Sequence, residues 1–204
     1  MHAFRRFAVV AATAAALVVP VAASGVASAA TQAPAAIRLG GQTTVTTAPG
    51  IASALLGAGI VPLAVNPGQQ TVLIRNGQPL ARFAFPVTGG WARLHPLSGT
   101  IEHRGGILFT DLKTGKQVEV GNFTISLRQG VLTGIVNGNS KVRIAIFNLS
   151  LAHARLWVHG HIVRAANIMV TLTATAAKAL NATLGTTLFQ PGMTIGTAAT
   201  TLRI

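Results

Sequence analysis

The sequence predicts an all-β fold: a single antiparallel, β-sandwich-like domain with two short helices. Three observations lead there. From Thr43 onward, β-like runs follow one another at short intervals, separated by glycine and asparagine turn signals. Helical patterning is confined to two alanine-rich stretches. The 204 residues, less an N-terminal export segment, leave enough chain for one domain with a sizeable core.

The elements follow in chain order. Arg5 and Arg6 precede an uncharged apolar run over 7–21, and Ala27-Ser28-Ala29 offers the small-x-small pattern of a cleavage site, so residues 1–29 are expected to be a signal peptide. A membrane anchor is the competing reading of this stretch, but Pro20, Gly25 and the cleavage pattern argue against it. Residues 30–42 read as a flexible lead-in and 43–204 as the β-rich domain. Asn76-Gly77 separates runs at 71–75 and 80–87, Lys113-Thr114-Gly115-Lys116 separates 106–111 from 117–127, and Asn137-Gly138-Asn139-Ser140 separates 131–136 from 141–150. Glycine and asparagine tolerate the positive φ of tight hairpins, so each is a predicted hairpin.

Residues 45–55 and 170–180 echo one another. Each passes from a strand through threonine into a short helix, expected near 49–56 and 174–183, then reaches Gly57 or Gly185. Threonine can cap the first turn and glycine can end the helix in the left-handed conformation. The echo reads as two equivalent strand–helix units, one at each end of the fold.

Composition removes whole classes of chemistry. With no cysteine there is no disulfide, thiolate metal site or cysteine nucleophile. Only Glu102, Asp111 and Glu119 are acidic, which leaves paired-carboxylate hydrolysis and carboxylate-rich metal cages nearly without material. No Gly-x-Ser-x-Gly elbow, phosphate-binding loop or His-Glu-x-x-His occurs, and the reading is that the chain is not an enzyme. The formal charge is +13; losing Arg5 and Arg6 leaves 14 basic residues against three acids, or +11. These cations are scattered without a block, a field suited to anionic polymers or lipid. No nucleic-acid partner is expected, since no aromatics interleave with the cations to stack bases.

Two stretches are candidates for binding. Read as one strand, 151–163 places His153, Arg155, Trp157, His159 and His161 on one face, and Ala154, Leu156, Val158 and Ile162 on the other. His159 and His161 would stand roughly 7 Å apart on the same side. Such a stripe suits a metal ion with a third ligand, an anion held by imidazolium and Arg155, or a flat ring stacked on Trp157. The plain alternative is the solvated face of a half-buried strand. In the second stretch, 99–109, alternation buries His103 with Ile101, Ile107 and Phe109 while Glu102 and Arg104 face outward. His103 is then a core histidine, or lines a pocket where Gly105 and Gly106 let a ligand approach the backbone.

Phe85-Pro86-Val87-Thr88-Gly89-Gly90, the run Gly99-Thr100-Ile101-Glu102-His103-Arg104-Gly105-Gly106, Val170-Thr171-Leu172-Thr173-Ala174 and the segment 189–198 are similar to the HtaA-type domain of secreted actinobacterial proteins. The resemblance covers about residues 83–201 and rests on glycine, proline and apolar spacing. It implies a β-rich haem-binding module in which a tyrosine ligates iron and a histidine supports it. His103 matches the supporting histidine. The chain has no tyrosine, so an axial ligand would fall to His159 or His161.

The expected function is a secreted or cell-envelope-associated binding module for haem or another flat anionic ligand. His103 would line the pocket, with Arg155, Trp157, His159 and His161 supplying charge, stacking and ligation. No cofactor other than haem is implied, and the metal, if any, is undefined. The alternative is a structural surface protein that adheres to anionic cell-wall polymers through its basic surface. No transmembrane segment is expected after signal cleavage.

Overall fold

A computed structural model describes residues 39–204. The expected signal peptide and most of the expected lead-in lie outside the described residues. The barrel itself begins inside the latter range: Leu39 is buried and the first strand starts at Gly40.

The strands are β1 (Gly40–Thr47), β2 (Ile60–Val65), β3 (Gln69–Arg75), β4 (Gln78–Leu94), β5 (Leu97–His103), β6 (Gly106–Asp111), β7 (Gln117–Ser126), β8 (Val131–Val136), β9 (Asn139–Ser150), β10 (Arg155–His159), β11 (Ile162–Leu172) and β12 (Thr194–Arg203). Helix α1 (Ile51–Ala58) follows β1, and α2 (Ala174–Leu184) follows β11. The all-β antiparallel character, the three hairpins and the two short helices all stand as the sequence predicted. The sandwich does not. Eight strands pair in the order β7-β5-β4-β1-β12-β11-β9-β8, and β8 pairs back to β7, so the sheet closes into a barrel. Strands β2 and β6 extend the sheet from β7, β3 pairs with β4, and β10 pairs only with β11.

Alternation shows which residues a strand turns inward, but not whether two sheet edges meet. Closure is enabled by backbone features a residue pattern hides. Gly41, Gly90, Gly99 and Gly196 take positive φ inside strands, where the sheet must bend. Interior positions then alternate as expected: Phe83, Phe85 and Val87 on β4, Ile101 and His103 on β5, and Ala198, Thr200 and Leu202 on β12 are buried.

Both β1 and β11 run antiparallel to β12, so they finish at the same end, where Thr47 faces Gly196 and Thr171 faces Thr194. The two strand–helix units therefore sit side by side over one mouth, correcting the expectation of opposite ends. Their caps also differ. Thr173 caps α2, accepting from the Ala176 amide at 3.1 Å and donating to the Ala145 carbonyl at 2.7 Å, and Gly185 ends the helix. Helix α1 starts at Gly50 with no side-chain cap and ends at Gly59, not Gly57, because only Gly59 takes the left-handed conformation. Thr173→Ala is expected to cost about 1–2 kcal/mol, the upper part of the range for a cap, since a second buried hydrogen bond goes with it. A urea unfolding midpoint reads this; an unchanged midpoint would show that the cap contributes nothing.

Candidate functional site

The barrel interior is not filled. Toward the helix-bearing end lies a chamber of about 110 Å³, lined by Phe83, Phe85, Phe123 and His103 and closed over by Leu55 of α1 and Leu180 of α2. Toward the other end lies a larger chamber of about 310 Å³, lined by Ile101, Ile125, Leu132, Val163 and Val170. Thr43, Val45, Leu132 and Phe147 border both chambers. An eight-stranded barrel is just wide enough for side chains to fill it or for one small ligand to lie inside.

His103 projects inward from β5 and is 4% exposed. Its Nε2 lies 2.7 Å from Thr43 Oγ1 on β1, which lies 2.8 Å from Thr200 Oγ1 on β12; Thr200 in turn donates to the Gln42 carbonyl at 3.4 Å. Nδ1 is buried without a hydrogen-bond partner. The donor roles in this chain follow the ring tautomer: with Thr200 donating to Gln42 and Thr43 to Thr200, Nε2–H donates to Thr43. Burial lowers the His103 pKa to about 4; the carbonyls of Phe123 and Ile101 oppose that fall from nearby, without the geometry of a hydrogen bond to Nδ1. The imidazole is neutral at ordinary pH.

Alternation placed His103, Glu102 and Arg104 correctly, on the buried, exposed and exposed sides. The alternative, a ligand approaching the backbone at Gly105 and Gly106, meets neighbouring backbone there. A Cβ on Gly105 would sit 2.6 Å from the Gly68 amide nitrogen, and one on Gly106 would sit 2.7 Å from the Val120 carbonyl oxygen. These glycines admit neighbouring backbone, not a ligand.

The stretch 151–163 is not one strand. Residues 152–153 lie in a turn, 155–159 form β10, and Gly160-His161 turns the chain into β11. The expected single face is thereby broken. Arg155, Trp157 and His159 do share one side of β10, but His153 and His161 lie in the turns at its two ends. Every residue of β10 is exposed, because the strand is an edge paired only to β11. On the opposite side of β10, Leu156 borders the larger chamber while staying exposed, and Val158 is exposed as well. His103 lines the smaller chamber and none of the stripe residues does, so the two sequence candidates do not form one pocket. Among the described residues, no three of His, Asp and Glu gather where a metal could bind.

Sequence reasoning passed over Thr43 and Thr200, which read as ordinary strand formers; only their inward alternation on β1 and β12 marked them. It also passed over the surroundings of the larger chamber. Leu151, Leu156 and Ile204 line that chamber yet remain between 37% and 54% exposed, so it opens beside them. The Ile204 amide donates to the His161 carbonyl at 2.9 Å, and Arg203 faces both Ile162 and Gly40, which places His161 and Arg203 at the same mouth.

Together these features define a closed antiparallel β-barrel with a hollow, apolar interior and a pair of helices over one end. In structure the chain is similar to the C-terminal domain of HtaA from Corynebacterium glutamicum, with a TM-score of 0.53 at 18% identity, covering 81% of this chain and 98% of that one. That likeness establishes the fold and accords with the distant HtaA-type resemblance read from the sequence. Looser overlaps occur with the N-terminal domain of HtaA (TM-score 0.46, 12% identity, 79% of this chain and 97% of that one) and with the heme binding protein HtaB (TM-score 0.45, 13% identity, 82% and 96%), both from C. glutamicum. No protein-family model matches the chain, and no curated protein does.

Proposed function

We propose that the chain is an exported binding module, not an enzyme, and that its larger chamber receives the apolar body of a flat ligand with an anionic edge, haem being the leading case. The observation that carries this reading is the 310 Å³ apolar chamber, which opens beside Leu151, Leu156 and Ile204 at the end of the barrel that also carries Arg155, His159, His161 and Arg203. Pockets of this size and lining are typical of sites that bind small molecules. Haem has the matching chemistry: an apolar macrocycle with two carboxylates on one edge. The carboxylates would face the arginines at the mouth, where charge-assisted hydrogen bonds are strongest. At the inner end, the Thr43 and Thr200 hydroxyls offer a polar contact held in place by His103.

The donor set limits how iron would be held. No tyrosine or cysteine exists in the chain, and His103 lines the other chamber. His159 on β10 and His161 in the turn after it are the imidazoles at this end of the barrel; they would reach the ligand over the edge of β10, with Trp157 flanking it from the outer side of that strand. Export rests on the N-terminal pattern of residues 1–29. Among the described residues no helix is long and apolar enough to cross a membrane.

Titration of the purified domain with hemin tests the proposal. The expected result is a saturable 1:1 complex with a shifted Soret band, weakened by at least tenfold in a His159→Ala/His161→Ala double variant. No Soret shift at saturating hemin would end the haem reading, and an unchanged affinity in the double variant would remove the histidines from it.

A further inference from the structure

We propose that the open end of the barrel is a docking surface for an anionic lipid membrane. The observation is the company the exposed apolar side chains keep. Leu151, Leu156, Trp157, Val158 and Ile204 are all strongly exposed and cluster at the β10–β11 hairpin and the adjoining C-terminal end of β12. Isolated exposed leucines need no explanation, but five large apolar groups gathered at one end of the barrel, Leu156 and Val158 on one side of the β10 edge and Trp157 on the other, mark an interaction site.

The charges around this patch have one sign. Arg155, Arg164 and Arg203 stand on the strands that carry it, with Arg164 directly opposite Trp157 in the β10–β11 ladder. The neighbouring turns at this end add Arg93 and His95 from the β4–β5 hairpin and Arg128 from the β7–β8 turn, all exposed. The carboxylates lie elsewhere: Asp111 and Glu119 sit toward the helix-bearing end, and Glu102 is part-way along β5 beside Gly89. An apolar tip carrying tryptophan, ringed by arginine and without acidic side chains, complements the interface of an anionic bilayer. The side chains enter the headgroup–acyl boundary and the cations meet lipid phosphates. A polyanionic polymer would use the cations alone and leave the apolar tip without a role. The orientation turns the mouth of the larger chamber toward the lipid, although docking does not depend on what that chamber binds.

The test uses ligand-free protein carrying Trp91→Phe, so that Trp157 is the single tryptophan. It is mixed with vesicles of phosphatidylglycerol and phosphatidylcholine, with pure phosphatidylcholine vesicles, or with soluble polyphosphate. The expected result is co-sedimentation with the anionic vesicles only, accompanied by a blue shift of Trp157 emission and protection from an aqueous quencher. Arg155→Ser and Arg164→Ser should each weaken vesicle binding roughly fivefold, the effect of one cation near an anionic surface. Val158→Asp should abolish the blue shift. Absence of vesicle binding would overturn the proposal. So would equal binding to polyphosphate with no change in Trp157 emission, which would favour an anionic polymer as the partner. Hemin binding is read separately, so failure of either proposal leaves the other standing.

Discussion

Replacing Gly41 by alanine is expected to abolish cooperative folding. A Cβ built on Gly41 would lie 2.0 Å from the Thr201 carbonyl oxygen, and the residue sits at φ +130°, where an L side chain is strained. The obstacle is backbone of the partner strand, so no side-chain rotation relieves it. Gly41 belongs to the β1–β12 ladder, which joins the barrel's first and last strands. Gly196 mirrors it on β12, with its Cβ position 2.0 Å from the Thr46 carbonyl oxygen. Separating these strands would break the closure on which every interior contact depends. The expected loss exceeds about 4 kcal/mol, a large part of the stability of an ordinary domain. Gly77→Ala is the control: it also has positive φ, at +73°, but nothing within 4 Å of its Cβ position, and should cost only about 1–2 kcal/mol. Urea unfolding followed by circular dichroism separates the two. A Gly41→Ala protein with a midpoint close to that of Gly77→Ala would refute the closure argument.

That glycine also marks the limit of what was legible in the chain. Local features could be read: Asn76-Gly77, Lys113-Gly115 and Asn137-Gly138 turn the chain where glycine and asparagine said they would, and Thr173 and Gly185 cap α2. Burial of His103 followed from alternation within β5 alone. What failed required knowledge of distant neighbours. Gly41 lets the backbone of β12 pass and Gly105 that of the β2–β3 turn, and nothing within a few residues of either reveals that neighbour. The stripe at 153–161 failed for a local reason that was visible: Gly160, between two histidines, is a turn residue, and it takes φ +53° to reverse the chain. Its even spacing of histidine, arginine and tryptophan outweighed that one signal. The chambers were beyond reach altogether, because a cavity is a property of eight strands meeting.

His103 supplies the second large effect, and its sign can be worked out. In the unfolded chain the imidazole titrates at 6.5; in the barrel burial holds it down to about 4. Between these values the unfolded chain takes up a proton that the folded one refuses, so stability falls as pH falls. The contribution is fully present above the unfolded value and disappears toward the folded one, and at about 1.4 kcal/mol per unit it amounts to roughly 3 kcal/mol. Asp111 adds acid sensitivity in a lower window. The Thr114 hydroxyl, 2.6 Å away, and the Lys113 amide hold its carboxyl below the ordinary 3.8, so its contribution is lost only as pH falls further. Urea midpoints between about pH 7 and about pH 4.5 should decline steadily in the native protein and much less in His103→Gln, which keeps a partner for Thr43 but cannot titrate. Equal slopes would show that the acid response arises elsewhere. Should the glutamine variant not fold, the His103 Cε1 proton resonance of the native protein gives the same answer: it should stay fixed as the pH falls through 6.5, the value of an unburied imidazole. Protonation at low pH would put a charged imidazole beside the Thr43–Thr200 pair in an apolar interior, and that desolvation cost is what the folded barrel avoids by keeping the ring neutral.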